Sequence, residues 1–61
     1  MTLYVIKRIE DGKFVAAPNS ERSYTSDLTK ARTFATRTEA VRECCGNEQV
    51  WNVSDLLRHP A

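Results

Sequence analysis

Few side chains in this chain have the type and spacing to do chemistry. Cys44 and Cys45 are adjacent. Structural zinc usually takes about four convergent ligands, in pairs separated by a few residues. Neighbours on a helix point roughly 100° apart, and the sole histidine, His59, stands well downstream of the pair. The cysteines therefore predict one small buried thiol, Cys44, with Cys45 flanking it and a disulfide to a second copy through Cys45 as the alternative. His59 lies between Arg58 and Pro60, without an orienting partner, and reads as an exposed tail residue. The carboxylates form no acid–base pair: Glu10 and Asp11 belong to a turn, Glu39 to a helix cap, and Glu43 and Glu48 to the flanks of a helix C-terminus. Both glycines are assigned to turns, which leaves none for a phosphate-cradling loop. No catalytic residue, metal or cofactor is expected, and the chain reads as non-enzymatic.

Binding chemistry has better candidates. Residues 18–27 form a long polar stretch, and loops of that length in small domains are commonly functional or disordered. Tyr24 is its one aromatic, set among hydroxyls and flanked further out by Arg22 and Asp27. The competing reading has Tyr24 folded back as a lid on the core edge, because a small domain needs its aromatics inside. A second candidate is a basic cluster, Lys30, Arg32, Arg37 and Arg42, interrupted by Glu39 and Glu43. At a helix start, Thr36, Arg37 and Thr38 could receive an anion, although Glu39 competes for the same N–H donors.

These residues must be positioned by a short list of elements. Thr36 and Glu39 have capping-box spacing, with Phe34 just upstream. This predicts a strand over 32–35 that aims Phe34 under a helix over 37–45. Ala40, Val41 and Cys44 would be buried, Thr38, Arg42 and Glu43 would point outward, and Gly46 would close the helix in the left-handed conformation. Upstream, residues 2–9 read as a strand with Leu3 and Val5 on one face and Tyr4 and Ile6 on the other. Asp11-Gly12 predicts a two-residue hairpin turn into a second strand over 13–17, which Pro18 ends. Ser26 or Asp27 caps a short turn that brings Leu28 and Ala31 inward. A fourth strand over 48–53 places Trp51 and Val53 opposite Val50, and a last turn carries Leu56 and Leu57. The expected fold is α+β: one domain over residues 1–61, with a small four-stranded, mainly antiparallel sheet in β-β-β-α-β order covered by one helix. The direction of the fourth strand stays open, since a crossover of about twelve residues suits a parallel neighbour as well.

A chain of 61 residues is near the lower limit for folding without staples, so its apolar groups must go into one core and leave no room for a deep cavity. Charge is balanced locally as well as globally: residues 1–22 and 23–45 each carry four basic and three acidic side chains. A strong nucleic-acid binder normally shows a basic stripe instead. No leader pattern or membrane-spanning run is visible, and two cysteines suit a reducing compartment, so a cytoplasmic location is expected.

Several runs carry a resemblance. They are Tyr4-Val5-Ile6-Lys7, Gly12-Lys13-Phe14-Val15-Ala16, Ser23-Tyr24-Thr25-Ser26-Asp27-Leu28, the stretch from Ala31-Arg32-Thr33-Phe34 through Glu39-Ala40, and Cys45-Gly46-Asn47-Glu48-Gln49-Val50. Across residues 4–50 the chain resembles small uncharacterised proteins of bacteriophages, prophages and other bacterial mobile elements. That setting implies a protein that binds and inhibits one host protein in the host cytoplasm, with anti-CRISPR inhibitors as the prominent group. The expected contact surface is Arg22, Tyr24 and Asp27 of the loop with Arg37, Arg42 and Glu43 of the helix. The alternatives are a weak nucleic-acid binder using Lys30, Arg32, Arg37 and Arg42, and a structural homodimer joined at a strand edge.

Overall fold

The computed structural model describes residues 2–58, so the reading of His59 falls outside it. The chain runs through β1 (Tyr4–Arg8), β2 (Phe14–Val15), β3 (Tyr24–Thr25), a single 3₁₀ turn (Leu28–Lys30), α1 (Arg37–Glu43), β4 (Glu48–Asn52) and α2 (Val53–Arg58). The sheet has four strands in the order β3-β2-β1-β4, and every pairing is antiparallel. The small α+β class with β-β-β-α-β order is therefore observed, and β4 is antiparallel to β1. Among the described residues no helix is long and apolar enough to cross a membrane.

Alternation along β1 sends Val5 and Ile6 to opposite faces, and both are fully buried. On one face Ile6 packs with Phe34 and Ala40, with Tyr4, Val15, Cys44 and Val50 around them, and α1 lies over this cluster. On the other face Val5 pairs with Trp51, and Lys7 with Phe14 and Gln49. Thr36 caps α1 as expected, its Oγ1 accepting from the Glu39 N–H at 3.2 Å. Among the described residues the reciprocal bond, from Glu39 back to Thr36, is not made. Asp27 is the residue that caps the 3₁₀ turn, through the Thr29 N–H at 2.9 Å.

Several expectations need correction. The third strand is Tyr24–Thr25, inside the stretch expected to be a loop, and residues 32–35 form no strand. After Lys7 pairs with Phe14, β1 and β2 diverge, and residues 31–34 fill the wedge with isolated bridges, Ala31 to Ala16 of the β2 side and Phe34 to Tyr4 of β1. The hairpin turn is longer than two residues. Its Gly12 N–H bonds the Arg8 carbonyl at 2.8 Å, closing a loop of residues 9–12 in which Gly12, at φ 72°, is the one residue with positive φ. Asp11 does not take that conformation, and its carboxylate accepts from the Lys13 N–H at 3.1 Å. Helix α1 stops at Glu43, with Cys44 as an extended C-cap, and Gly46 does not take the left-handed form. Val41 is 55% exposed rather than buried, because so short a helix buries one narrow stripe, Ala40 with half-buried Cys44.

Candidate functional site

On the helix side of the sheet the polar chemistry converges on Glu48, which is 9% exposed. Its Oε1 accepts from the Cys45 N–H at 2.9 Å, and its Oε2 accepts a short hydrogen bond from the Tyr24 hydroxyl. The Tyr24 ring lies under the guanidinium of Arg8, 3.9 Å from ring centroid to Cζ, and Arg8 is the cross-strand partner of Glu48. Arg8 in turn forks onto Asp11, with Nε 3.0 Å from Oδ1 and a second bond from Nη2 to Oδ2. Burial pushes the Glu48 carboxyl up, but the hydrogen bonds from Tyr24 and Cys45 outweigh it and hold the group below its ordinary range. The same bond to Glu48 raises the Tyr24 phenol. The bonds from Arg8, and next the Lys13 N–H, lower Asp11 to about 2. Burial, followed by the neighbouring Glu48 charge, pushes the Cys44 thiol up, which disfavours the thiolate that nucleophilic chemistry would need.

This chain of contacts spans the sheet from β3 to the start of β4. Every charged oxygen in it has a donor, so it is a strut and not a site awaiting substrate. Among the described residues no group of three or more histidine, cysteine, aspartate or glutamate side chains could hold a metal. The strut was missed at the sequence level, where Glu48 was assigned to a helix flank. Strand alternation with Val50 would have placed Glu48 on the core face, and a carboxylate there demands donors.

Beside the strut runs a furrow made of two small grooves of about 190 and 240 Å³, which share Arg32, Phe34 and Glu43. Ile6, Val15 and Phe34 give it an apolar floor, and Tyr24 and Glu48 close one end. Glu39 and Arg42 line the other end. Arg32 lies over the Phe34 ring at 4.9 Å. Of the expected contact residues, Tyr24, Arg42 and Glu43 thus share one furrow. Tyr24 belongs to its wall through the strut, as a lid on the core edge. Arg37 is on the opposite flank of α1, its guanidinium 5.2 Å from the Tyr4 ring centroid. Asp27 is occupied by Thr29, whose hydroxyl also donates to it at 2.6 Å. The carboxyl of Asp27 is lowered by those bonds.

Arg22 and Lys30 line a different, polar groove of about 410 Å³, with Lys13, Ser20, Glu21, Thr25 and Ser26 among its walls. Most of these side chains are exposed, so this is an open surface groove. The basic set Lys30, Arg32, Arg37 and Arg42 is therefore not one surface: it divides among two grooves and the Tyr4 flank. No protein-family model, curated protein or solved structure matches this chain.

Proposed function

We propose that the chain is a non-enzymatic, phage-type protein that binds and inhibits a host protein in the host cytoplasm through the furrow between α1 and β3. The observation that carries this reading is the furrow's make-up. A narrow apolar floor of half-buried Val15 and the edge of Phe34, over the fully buried Ile6, is rimmed by both signs of charge, Arg32 and Arg42 against Glu39 and Glu43. A rim of alternating charge around an apolar strip suits a folded protein surface, where complementary charges fix register and exclude wrong partners. The exposed Val41 and Arg37 extend the same helix beyond the furrow. A stable interface needs about 800 Å² from each partner, so the helix flank and the 18–27 stretch must contribute as well. A component of a CRISPR–Cas system is the target class that the phage resemblance implies.

Capture from host lysate with the tagged chain, with and without nuclease, tests the reading. One protein should be recovered in near-equal amount after nuclease, and Arg42→Glu or Glu43→Lys should abolish its recovery. Both side chains are exposed, so neither substitution threatens the fold. Undiminished recovery by both variants would overturn the placement, and recovery that disappears with nuclease would overturn the protein-partner reading.

A further inference from the structure

The balanced charge of the sequence conceals a division between the two sides of the sheet. The furrow on the helix side is lined by two cations, Arg32 and Arg42, against three carboxylates, Glu39, Glu43 and Glu48. Two grooves elsewhere have the opposite balance. The 410 Å³ groove carries Lys13, Arg22 and Lys30 against Glu21 alone, and its walls include Ala16 and Thr25. Thr25, paired with Phe14, faces away from α1, whereas Tyr24 in the same wall faces the helix side, so this groove lies at the β3 edge of the sheet and opens onto the second face. A shallower groove of about 160 Å³ is lined by Lys7, Arg8, Ile9, Gly12, Gln49 and Trp51, with no carboxylate. Arg8 is held by Asp11, so four cations, Lys7, Lys13, Arg22 and Lys30, stand against Glu21 along these two grooves, in a chain whose totals are nine and eight.

Aromatic rings are interleaved with those cations. Lys7 on central β1 lies between Phe14 of β2 and Trp51 of β4, its Nζ 6.0 Å from the first ring centroid and 5.1 Å from the second. Both rings are half-buried, and Trp51 forms part of a groove wall. The Lys7 stem runs beside Gly12, where a Cβ would lie at ordinary contact distance, 3.4 Å from its Cε. A sheet face with planar rings on the two strands that flank β1 and a lysine between them has the components of a stacking platform for unpaired bases, with further lysines placed for the phosphates.

We infer that this second face binds single-stranded nucleic acid, with a base stacked at Trp51 and the phosphate backbone tracking from Lys7 past Lys13 to Lys30 and Arg22. The molecule measures 28 × 26 × 22 Å, which accommodates about four nucleotides in one crossing. The surface meets the furrow assigned to a protein partner only at Tyr24, which lines both, and the two readings are tested by different variants.

Trp51 is the chain's single tryptophan, so its emission reports this face directly. Titration of the full chain with an eight-nucleotide oligothymidylate or oligouridylate should quench Trp51 at about 50 mM salt. Affinity should fall as salt rises, with a log–log slope near −2 for about three neutralised phosphates. Lys13→Gln and Lys30→Gln should each weaken binding about threefold to tenfold and flatten the slope, whereas Arg42→Gln on the opposite side should change neither. Three results would overturn the inference. One is no quenching at about 100 μM oligonucleotide in low salt. Another is duplex DNA bound as tightly with Trp51 emission unchanged. The third is an emission change driven by protein concentration alone, which would assign the face to a second copy.

Discussion

Glu48 is the residue at which burial and charge meet, and its environment sets how the protein responds to acid. Two donors, the Tyr24 hydroxyl and the Cys45 N–H, bond the charged form, so the folded carboxyl titrates below its unfolded value of 4.5. A depressed carboxyl contributes stability that is fully present above the unfolded value and is lost as pH falls through the folded one. Asp11, held at about 2 by Arg8 against an unfolded 3.8, adds a second loss in the window between those values. Urea midpoints should therefore hold steady from pH 7 to about 5 and fall progressively toward pH 2. At neutral pH, Glu48→Gln should cost about 2 kcal/mol, because both bonds lose their charge assistance and the amide NH2 cannot accept where a carboxylate oxygen did. Below pH 4.5 the loss in that variant should be shallower than in the parent, and parallel curves for the two would refute the strut's role. Tyr24 gives an independent readout: its phenol ionises above the ordinary 10 in the parent and should return toward that value in Glu48→Gln.

At the scale of elements, the junction from Phe34 into α1 organises the helix side of the molecule. The Thr36 hydroxyl satisfies the Glu39 N–H, and Phe34, 6% exposed, is held beneath Ala40. In a helix of seven residues one cap is a large share of the local stabilisation. Thr36→Ala should cost about 1 kcal/mol and Thr36→Ser only a few tenths, measured as urea midpoints. Equal losses in the two variants would show that the hydroxyl bond is not the source. This junction was legible because a cap is a local pattern: Thr36, Glu39 and the apolar Phe34 and Ala40 all lie within seven residues of one another. The faces of β1, and of Val50 against Trp51 in β4, were legible for the same reason, since alternation is local, whereas Val53 belongs to α2 and not to the strand. What escaped notice was decided by pairing across long separations. Tyr24–Thr25 has no alternating run of its own, and it becomes a strand because Val15 and Phe14 offer it an edge. Residues 32–35 have strand-like side chains, yet they fall where β1 and β2 diverge, so Phe34 makes one bridge to β1 and Ala31 before them one to Ala16. The furrow followed this pattern: the contribution of Arg42 and Glu43 was readable from the helix face, but Arg32 joined them through the wedge, which no local pattern encodes.

For the whole molecule, the sheet order places the most secure backbone at the centre and the short strand β3 at the margin. Strand β1 is bonded on both sides. The Ile9 N–H reaches the Asn47 carbonyl and the Val53 N–H reaches the Leu3 carbonyl, so the odd-numbered residues of β1 turn their backbone toward β4. The even-numbered residues Tyr4 and Arg8 bond Phe34 and Lys13 on the other side. By contrast β3 is two residues long and pairs with β2 alone, anchored in addition by the Tyr24–Glu48 bond. Opening β3 with its flanking residues therefore sacrifices one short ladder and one strut, whereas opening β1 dismantles the sheet. In native-state hydrogen exchange the amides of Val5 and Lys7 should exchange slowest, at the rate set by global unfolding. Those of residues 23–26 should exchange at least about a hundredfold faster. Uniform protection across β1 and β3 would mean that the sheet opens as a single unit and would contradict this ordering. The weak margin is also where the furrow and the lysine-rich groove, the two surfaces proposed to bind partners, approach each other, since Tyr24 lines both. A partner seated in either one holds β3 down, so each should slow exchange at residues 23–26 while leaving Val5 and Lys7 near their unbound protection relative to global stability. By that route, occupancy of one face of the sheet becomes measurable at the other.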